Sequence, residues 1–166
     1  MNPENERVIA IIRQAFADVK LEGGVSLHLA RLLDDYCDDV VEKEKAACED
    51  QDISWEEISA DKLAHYSDTF AFFDSKAFRY YVPAFMIASL RDSKFDDFFI
   101  YNLDCKDHPA DYGKRWDILT DAQKTAIYEY LVCRSQWEEM DAGAAAAADT
   151  AADAIAHYWQ RFKSSK

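Results

Sequence analysis

The stretch FAFFDSKAFRYYVPAFMIASL, residues 70–90, decides how the chain folds: it holds seven aromatic residues and one proline in 21 positions. Phe78, Tyr81, Val82, Phe85, Met86 and Leu90 recur at helical spacing, with Asp74 or Ser75 placed to cap the start. A segment this apolar belongs in a core, and its aromatic rings are read as filling. Pro83 has no backbone N–H to donate, so the spacing predicts a kink or a split in the helix there.

Working outward, the rest of the chain also reads as helical. Of 166 residues, 49% are hydrophobic and 31% charged, with only four glycines and three prolines. That supplies a core and disfavours both disorder and a turn-rich β-sandwich. Toward the N-terminus, Asn2 and Pro3 open a helix carrying Val8, Ile12, Phe16 and Val19 on one face, stopped by Gly23 and Gly24. A second helix starts at Ser26 and, by its stripe of Leu29, Leu33, Tyr36, Val40 and Ala47, runs to about residue 49. Ser54 and Glu57 read as a capping box, with Ile53 and Ile58 at staple positions and Trp55 under a neighbouring helix.

Beyond the central stretch, FFIYNL (98–103) fits a short helix or one strand, and Pro109 and Gly113 mark a loop. Thr120 and Gln123 form another capping box, before a helix lined by Ile127, Tyr130, Leu131 and Arg134. The alanine-rich tail, residues 142–166, favours a final helix with Ala148, Ala152, Ile155, Trp159 and Phe162 as its stripe. The expectation is an all-α protein of about six helices, one domain over 1–166, with a peripheral place open to the tail and a strand open near 98–103.

Charge is the most informative chemical feature. The formal net charge is −13, so binding nucleic acid through its phosphates is disfavoured. Between Asp34 and Asp61 twelve acids face only Lys43 and Lys45, which places ten of the thirteen excess negative charges in that block. Asp34/Asp38 and Asp35/Asp39 lie four apart, a repulsive step on a continuous helix. Three readings follow: a solvated face, a divalent-cation site using Asp34, Asp35, Asp38 and Asp39, or a surface for a basic protein built from Asp34, Asp35, Asp38, Asp39, Glu42, Glu56 and Glu57. The loop pattern of a calcium site is missing, so no metal or other cofactor is assigned.

Other candidates are thinner. Arg79 and Tyr80 could contact an anionic ligand, against the plainer reading of an Asp74–Arg79 tie with packed tyrosines. Cys105 and His108 have ligand-like spacing without a second pair, and Asp149, Asp153 and His157 form an i,i+4 row next to Arg161. There is no phosphate-cradling GxxxxGK or GxGxxG and no GxSxG elbow, so no catalytic residue is assigned and an enzyme is disfavoured. Four scattered cysteines without a CxxC pair, and no signal-like or membrane-length apolar run, point to a cytoplasmic protein with reduced thiols and no membrane contact.

Three functions remain in view. The first is an acidic binding module, for example an immunity- or antitoxin-like protein capturing a basic partner. The second is a metal-assisted enzyme using a carboxylate or the Arg79–Tyr80 neighbourhood; the third is an assembly protein with no site.

Four segments together carry a resemblance: LEGGVSLHLARLLDDY (21–36), WEEIS (55–59), FAFFDSKAFRYYVPAFMIASLR (70–91) and WDILTDAQKTAIYEYL (116–131). The set, and FRYYVPAFM above all, resembles a small bacterial family catalogued as a domain of unknown function, over roughly residues 8–133. The resemblance implies a bacterial, soluble, mainly helical protein. It brings no catalytic residues with it, and the alanine-rich tail lies outside it.

Overall fold

A computed structural model describes residues 2–92, 95, 97–106, 114–137 and 142–163. The α-helices are α1 (Pro3–Phe16), α2 (Leu27–Asp34), α3 (Val40–Ala47), α4 (Ala60–His65), α5 (Ser75–Arg91), α6 (Asp121–Ser135) and α7 (Ala142–His157), joined by 3-10 turns at Trp55–Glu57, Ser67–Phe72, Asp97–Leu103 and Trp159–Phe162. The protein is all-α, with no strand among the described residues. FFIYNL lies in the 3-10 turn Asp97–Leu103, not in a strand.

Helix α5 is the axis of the fold. Thirteen of its residues, among them every one from Tyr80 to Leu90, are buried. A helix apolar on all faces must be enclosed by the rest of the protein. The enclosing elements include α1, α4 and the Trp55–Glu57 turn, while α6 packs against α1 and against α7. Phe70 sets its ring 5.6 Å from Phe78, 5.3 Å from Phe85 and 5.7 Å from Phe99, so one aromatic cluster joins both neighbouring 3-10 turns to α5. The helix runs on through Pro83 instead of splitting. The ring denies one backbone bond to the preceding turn, and the packing on every side holds the helix across that loss.

Both ends of α5 are satisfied by other segments. At its start Asp74 Oδ1 accepts from Ala77 N at 2.8 Å and from Val25 N at 3.4 Å, capping the helix and holding the 21–25 loop with one carboxylate. At its end Asn5 Nδ2 donates to the Leu90 carbonyl at 2.8 Å. Asn5 is buried in α1 on the same face as Val8, Ile12 and Phe16, the apolar residues that the spacing predicts. The helix stops at Phe16, well before the glycines. Its last carbonyl accepts from Val19 N at 3.1 Å and from the Trp55 indole N–H at 2.9 Å.

The predicted second helix divides in two. Cys37 N bonds to Leu32 O at 2.9 Å and Tyr36 N to Leu33 O at 3.3 Å, with Tyr36 at φ +52° between them. This pair of bonds is the Schellman arrangement that ends a helix. Asp39 then starts α3 by accepting from Glu42 N at 3.0 Å. The break relieves the repulsion that a continuous helix would impose on Asp34/Asp38 and Asp35/Asp39. It also leaves Tyr36 and Val40, expected in the buried stripe, exposed. The apolar residues that α2 and α3 do bury are Leu27, Ala30, Leu32 and Ala46. At the base of this helical hairpin, Ser26 Oγ accepts from Leu29 N at 3.0 Å and donates to Ala46 O at 2.6 Å.

Near the C-terminus the Thr120/Gln123 capping box forms as predicted, and Ile127, Tyr130, Leu131 and Arg134 are buried. The Ser54/Glu57 box does not: Ser54 accepts from Glu56 N and caps a 3-10 turn. The alanine-rich helix is packed into the core through Ala147, Ala151, Ala154 and the following Trp159, one register from the predicted alanines. Trp159 Nε1 donates to Leu103 O at 2.7 Å, and its ring lies 4.7 Å from that of Trp116.

The approach of the 21–25 loop to α5 leaves no room for a side chain at Gly24, where a Cβ would lie 2.8 Å from Ala77 N and from Lys76 Cβ. Gly24→Ala should therefore destabilise the fold by about 1–3 kcal/mol. The check is a lowered urea midpoint at unchanged slope.

Candidate functional site

The acidic residues occupy three physical situations. Some are structural. Asp39 caps α3. Asp50, at φ +62°, turns the chain out of α3 and buries its carboxylate. Lys62 Nζ lies 2.5 Å from Asp50 Oδ1, and the Tyr81 hydroxyl donates to Asp50 Oδ2 at 2.8 Å while accepting from Leu27 N at 3.3 Å. The Tyr80 hydroxyl sits 2.9 Å from Ile53 O and 3.3 Å from Asp50 O. These two tyrosines of the central helix thus hold the base of the acidic hairpin and the chain that follows it. Burial, reinforced by the Asp50 charge, pushes both phenols well above the usual tyrosine range.

A second group pairs with the protein's own bases. Asp34 lies 3.4 Å from Arg31, whose guanidinium also takes Asp68 at 2.5 Å and donates to His65 O at 3.2 Å. The Arg31 hydrogen bonds hold the Asp68 carboxyl below its ordinary range. Glu49 meets His28 at 3.0 Å, and Glu56 meets Arg13 at 3.6 Å.

The remainder face solvent, with Glu42 also accepting from Cys37 Sγ at 3.9 Å. Asp35, Asp38, Glu42, Glu44, Asp52, Glu57 and Asp61 are exposed, and among the described residues none of them has an ion pair. The structure therefore scatters the predicted set by role, with Asp35, Asp38, Glu42 and Glu57 left to present charge to solvent. Sharing the hairpin tip with Asp35, Asp38 and Glu42 are Tyr36, Val40 and Val41, which are 87%, 65% and 75% exposed. The sequence stripe had assigned Tyr36 and Val40 to the core; the Asp39-to-Glu42 start signal beside Tyr36 could have marked the break.

Arg79 does not tie to Asp74. Its Nη2 reaches Glu22 Oε2 at 2.6 Å, and Lys76 Nζ donates to Glu22 O at 2.8 Å, so both clamp the 21–25 loop. Tyr80 is fully buried, with its hydroxyl already engaged. No group of three or more His, Cys, Asp or Glu side chains among the described residues is arranged to hold a metal ion. His157 turns away from the Asp149/Asp153 row to meet Asp104 at 2.7 Å, and Arg161 lies over the Tyr158 ring. Burial raises the Cys105 and Cys133 thiols, which opposes thiolate formation, and His108 lies outside the described residues.

A groove of about 1370 Å³ lies on different elements, α1 and α6, and is lined by Glu4, Arg7, Ile11, Tyr128, Glu129 and Val132 among others. Its arginine and two glutamates pair with one another, while Lys163, which also lines it, has no ion pair among the described residues. Arg7 forks onto Glu4 with Nε 3.0 Å and Nη2 2.6 Å from Oε1, and reaches Glu129 at 2.7 Å. Those bonds raise Arg7 above its ordinary range and lower Glu4.

The chain belongs to the Family of unknown function (DUF6714), which it matches over residues 4–163. The match takes in the alanine-rich helix, so the family extends past the 8–133 span over which the motifs alone are familiar. No curated protein and no solved structure matches it significantly.

Two predictions follow from the hairpin base. The Asp50 side chain is 3% exposed and that of Lys62 32%, so removing either partner has unequal effects. Lys62→Met strands a buried carboxylate and should cost about 3 kcal/mol; Asp50→Asn leaves a solvated ammonium and should cost about 1–2 kcal/mol, both read by chemical denaturation. The raised phenols set an alkaline limit. Tyr80 and Tyr81 stay neutral when folded but ionise near pH 10 when unfolded, so their stabilisation is complete below about pH 10 and lost above it. Tyr81→Phe should flatten the alkaline fall in the denaturation midpoint.

Proposed function

We propose that this protein is an acidic binding module that captures a basic protein in a bacterial cytoplasm, in the manner of an immunity protein or an antitoxin. The observation that carries this reading is the set of exposed, unpaired carboxylates on the α2–α3 hairpin and the chain after it: Asp35, Asp38, Glu42, Glu44, Asp52, Glu57 and Asp61. A net negative field on an exposed surface attracts a cationic one and speeds its encounter. The same field repels nucleic acid and anionic membranes. Stoichiometric capture requires surface and no catalytic group, and the Arg7–Glu4–Glu129 and Arg31–Asp68 clusters are paired internally.

An enzyme is less well supported. Arg79 is committed to Glu22, Tyr80 is buried, and the α1–α6 groove holds its arginine between two glutamates.

The test is affinity capture from the source cells, followed by purification and titration of each captured protein. The expected partner is basic, and its Kd weakens steeply between low and high salt. Asp35→Asn/Asp38→Asn/Glu44→Gln, three positions with no structural bond, should weaken it about tenfold or more at low salt while leaving the denaturation midpoint in place. Captured partners that are neutral or acidic, or binding indifferent to the triple variant, would overturn the reading.

A further inference from the structure

We infer that Tyr36, with Val40 and Val41 beside it, is the apolar anchor of the capture surface, and that the partner presents an apolar pocket rimmed by lysine or arginine. The inference rests on the reading of the acidic hairpin as a surface for a basic protein.

Three observations converge on the tip. Among the described residues the three most exposed large hydrophobic side chains of the protein are Tyr36, Val41 and Val40, all within six positions. Tyr36 occupies the left-handed position that closes α2, at φ +52°, where glycine or asparagine is the usual occupant. A bulky side chain there is held at a cost of about 1 kcal/mol or more. No burial within the chain offsets that cost, because the ring is 87% exposed. Val40 and Val41 open α3 with two β-branched side chains, poor helix formers, on a helix whose one buried residue is Ala46.

The surroundings select the occupant. Residues 34–42, DDYCDDVVE, hold five acids and no base. A second copy docked tip to tip would set Asp35, Asp38, Asp39 and Glu42 against the same four, and an anionic membrane would be repelled in the same way. A partner that is cationic around an apolar recess meets both features. The arrangement is that of a protein interface, with an aromatic and aliphatic centre inside a charged rim. Roles then divide: the acids govern association rate and salt dependence, and the apolar centre governs the lifetime of the complex.

The experiment pans a displayed random-peptide library against the full chain at low salt and measures the enriched peptides by surface plasmon resonance. Enriched sequences should combine Lys or Arg with aromatic or aliphatic residues. Tyr36→Gly should raise the dissociation rate about tenfold or more, with association rate and salt slope unchanged. Glycine relieves the left-handed backbone, so the same variant should match or exceed the parent in urea midpoint, which separates lost binding from lost folding. Tyr36→Phe should retain binding. Asp35→Asn/Asp38→Asn should slow association and flatten the salt slope instead. Basic, salt-sensitive peptides whose dissociation ignores Tyr36→Gly would sink the anchor and leave the capture reading standing. Peptides that depend on Tyr36 but not on salt or the acids would remove the basic partner, and with it both readings. Enrichment of no basic–apolar sequence also counts against both.

Discussion

Everything in this fold answers to one requirement: α5 buries side chains all around its circumference, from Ala77 to Leu90. Such a helix has no solvent face on which to rest, so it is stable only when other elements close around it. That closure recruits α1, α4 and the 3-10 turns that flank the helix, and it explains why the bundle is not a simple up-and-down arrangement of amphipathic helices. Burial on all sides also makes the polar atoms of α5 expensive, and several are met from outside the helix, with buried Arg79 Nε an exception among the described residues. Asp74 caps the start, Asn5 takes the Leu90 carbonyl, the Ser89 hydroxyl lies 2.9 Å from that of Tyr130, and the hydroxyls of Tyr80 and Tyr81 leave the core together toward Asp50 and Ile53.

That last connection couples the core to the acidic surface. Tyr81 touches both the first turn of α2, through Leu27 N, and the end of α3, through Asp50. Ser26 joins the same two ends through Ala46 O. The hairpin is therefore fixed at its base by buried hydrogen bonds, while its tip, residues 35–41, is defined by the bonds that end α2, the Asp39 cap of α3 and the Cys37 Sγ–Glu42 contact, all within the hairpin. A rigid root carrying a solvated tip suits recognition, because the tip is positioned without being covered.

How much of this the sequence disclosed depends on the kind of information each element carries. Capping residues act locally, so Asn2 with Pro3, and Thr120 with Gln123, mark helix starts that form where the residues stand. The aromatic stretch is so apolar that burial follows for six of its seven rings, Phe72 alone being left exposed. The stripe from Leu29 to Ala47 misled because a period of 3.6 continues through a break that happens to preserve spacing, and the terminating residue is Tyr36 where a glycine would have been recognised. In the alanine-rich helix alanines lie on every face, so periodicity could not choose Ala147, Ala151 and Ala154 over their neighbours. Net charge was legible from a count, but its division was not: whether a carboxylate is buried on Lys62, paired with Arg31 or free depends on residues brought together by the tertiary fold.

That division bears on what the acidity is for. Negative charge near the start of a helix is favourable and near its end unfavourable, so Asp39 and Glu42 help to form α3 whereas Asp34 and Asp35, closing α2, oppose the dipole. Arg31 offsets Asp34 at 3.4 Å. Asp50 repays its burial through Lys62 and Tyr81. Folding thus accounts for Asp34, Asp39, Glu42 and Asp50, while Asp35 and Asp38, on either side of an exposed tyrosine, make no ion pair among the described residues. Solubility alone would be served by the same charges spread over the other helices, at lower self-repulsion. Concentrating them around an apolar tip raises the electrostatic cost locally, a cost that contact with a positively charged surface, such as the proposed partner's, would offset.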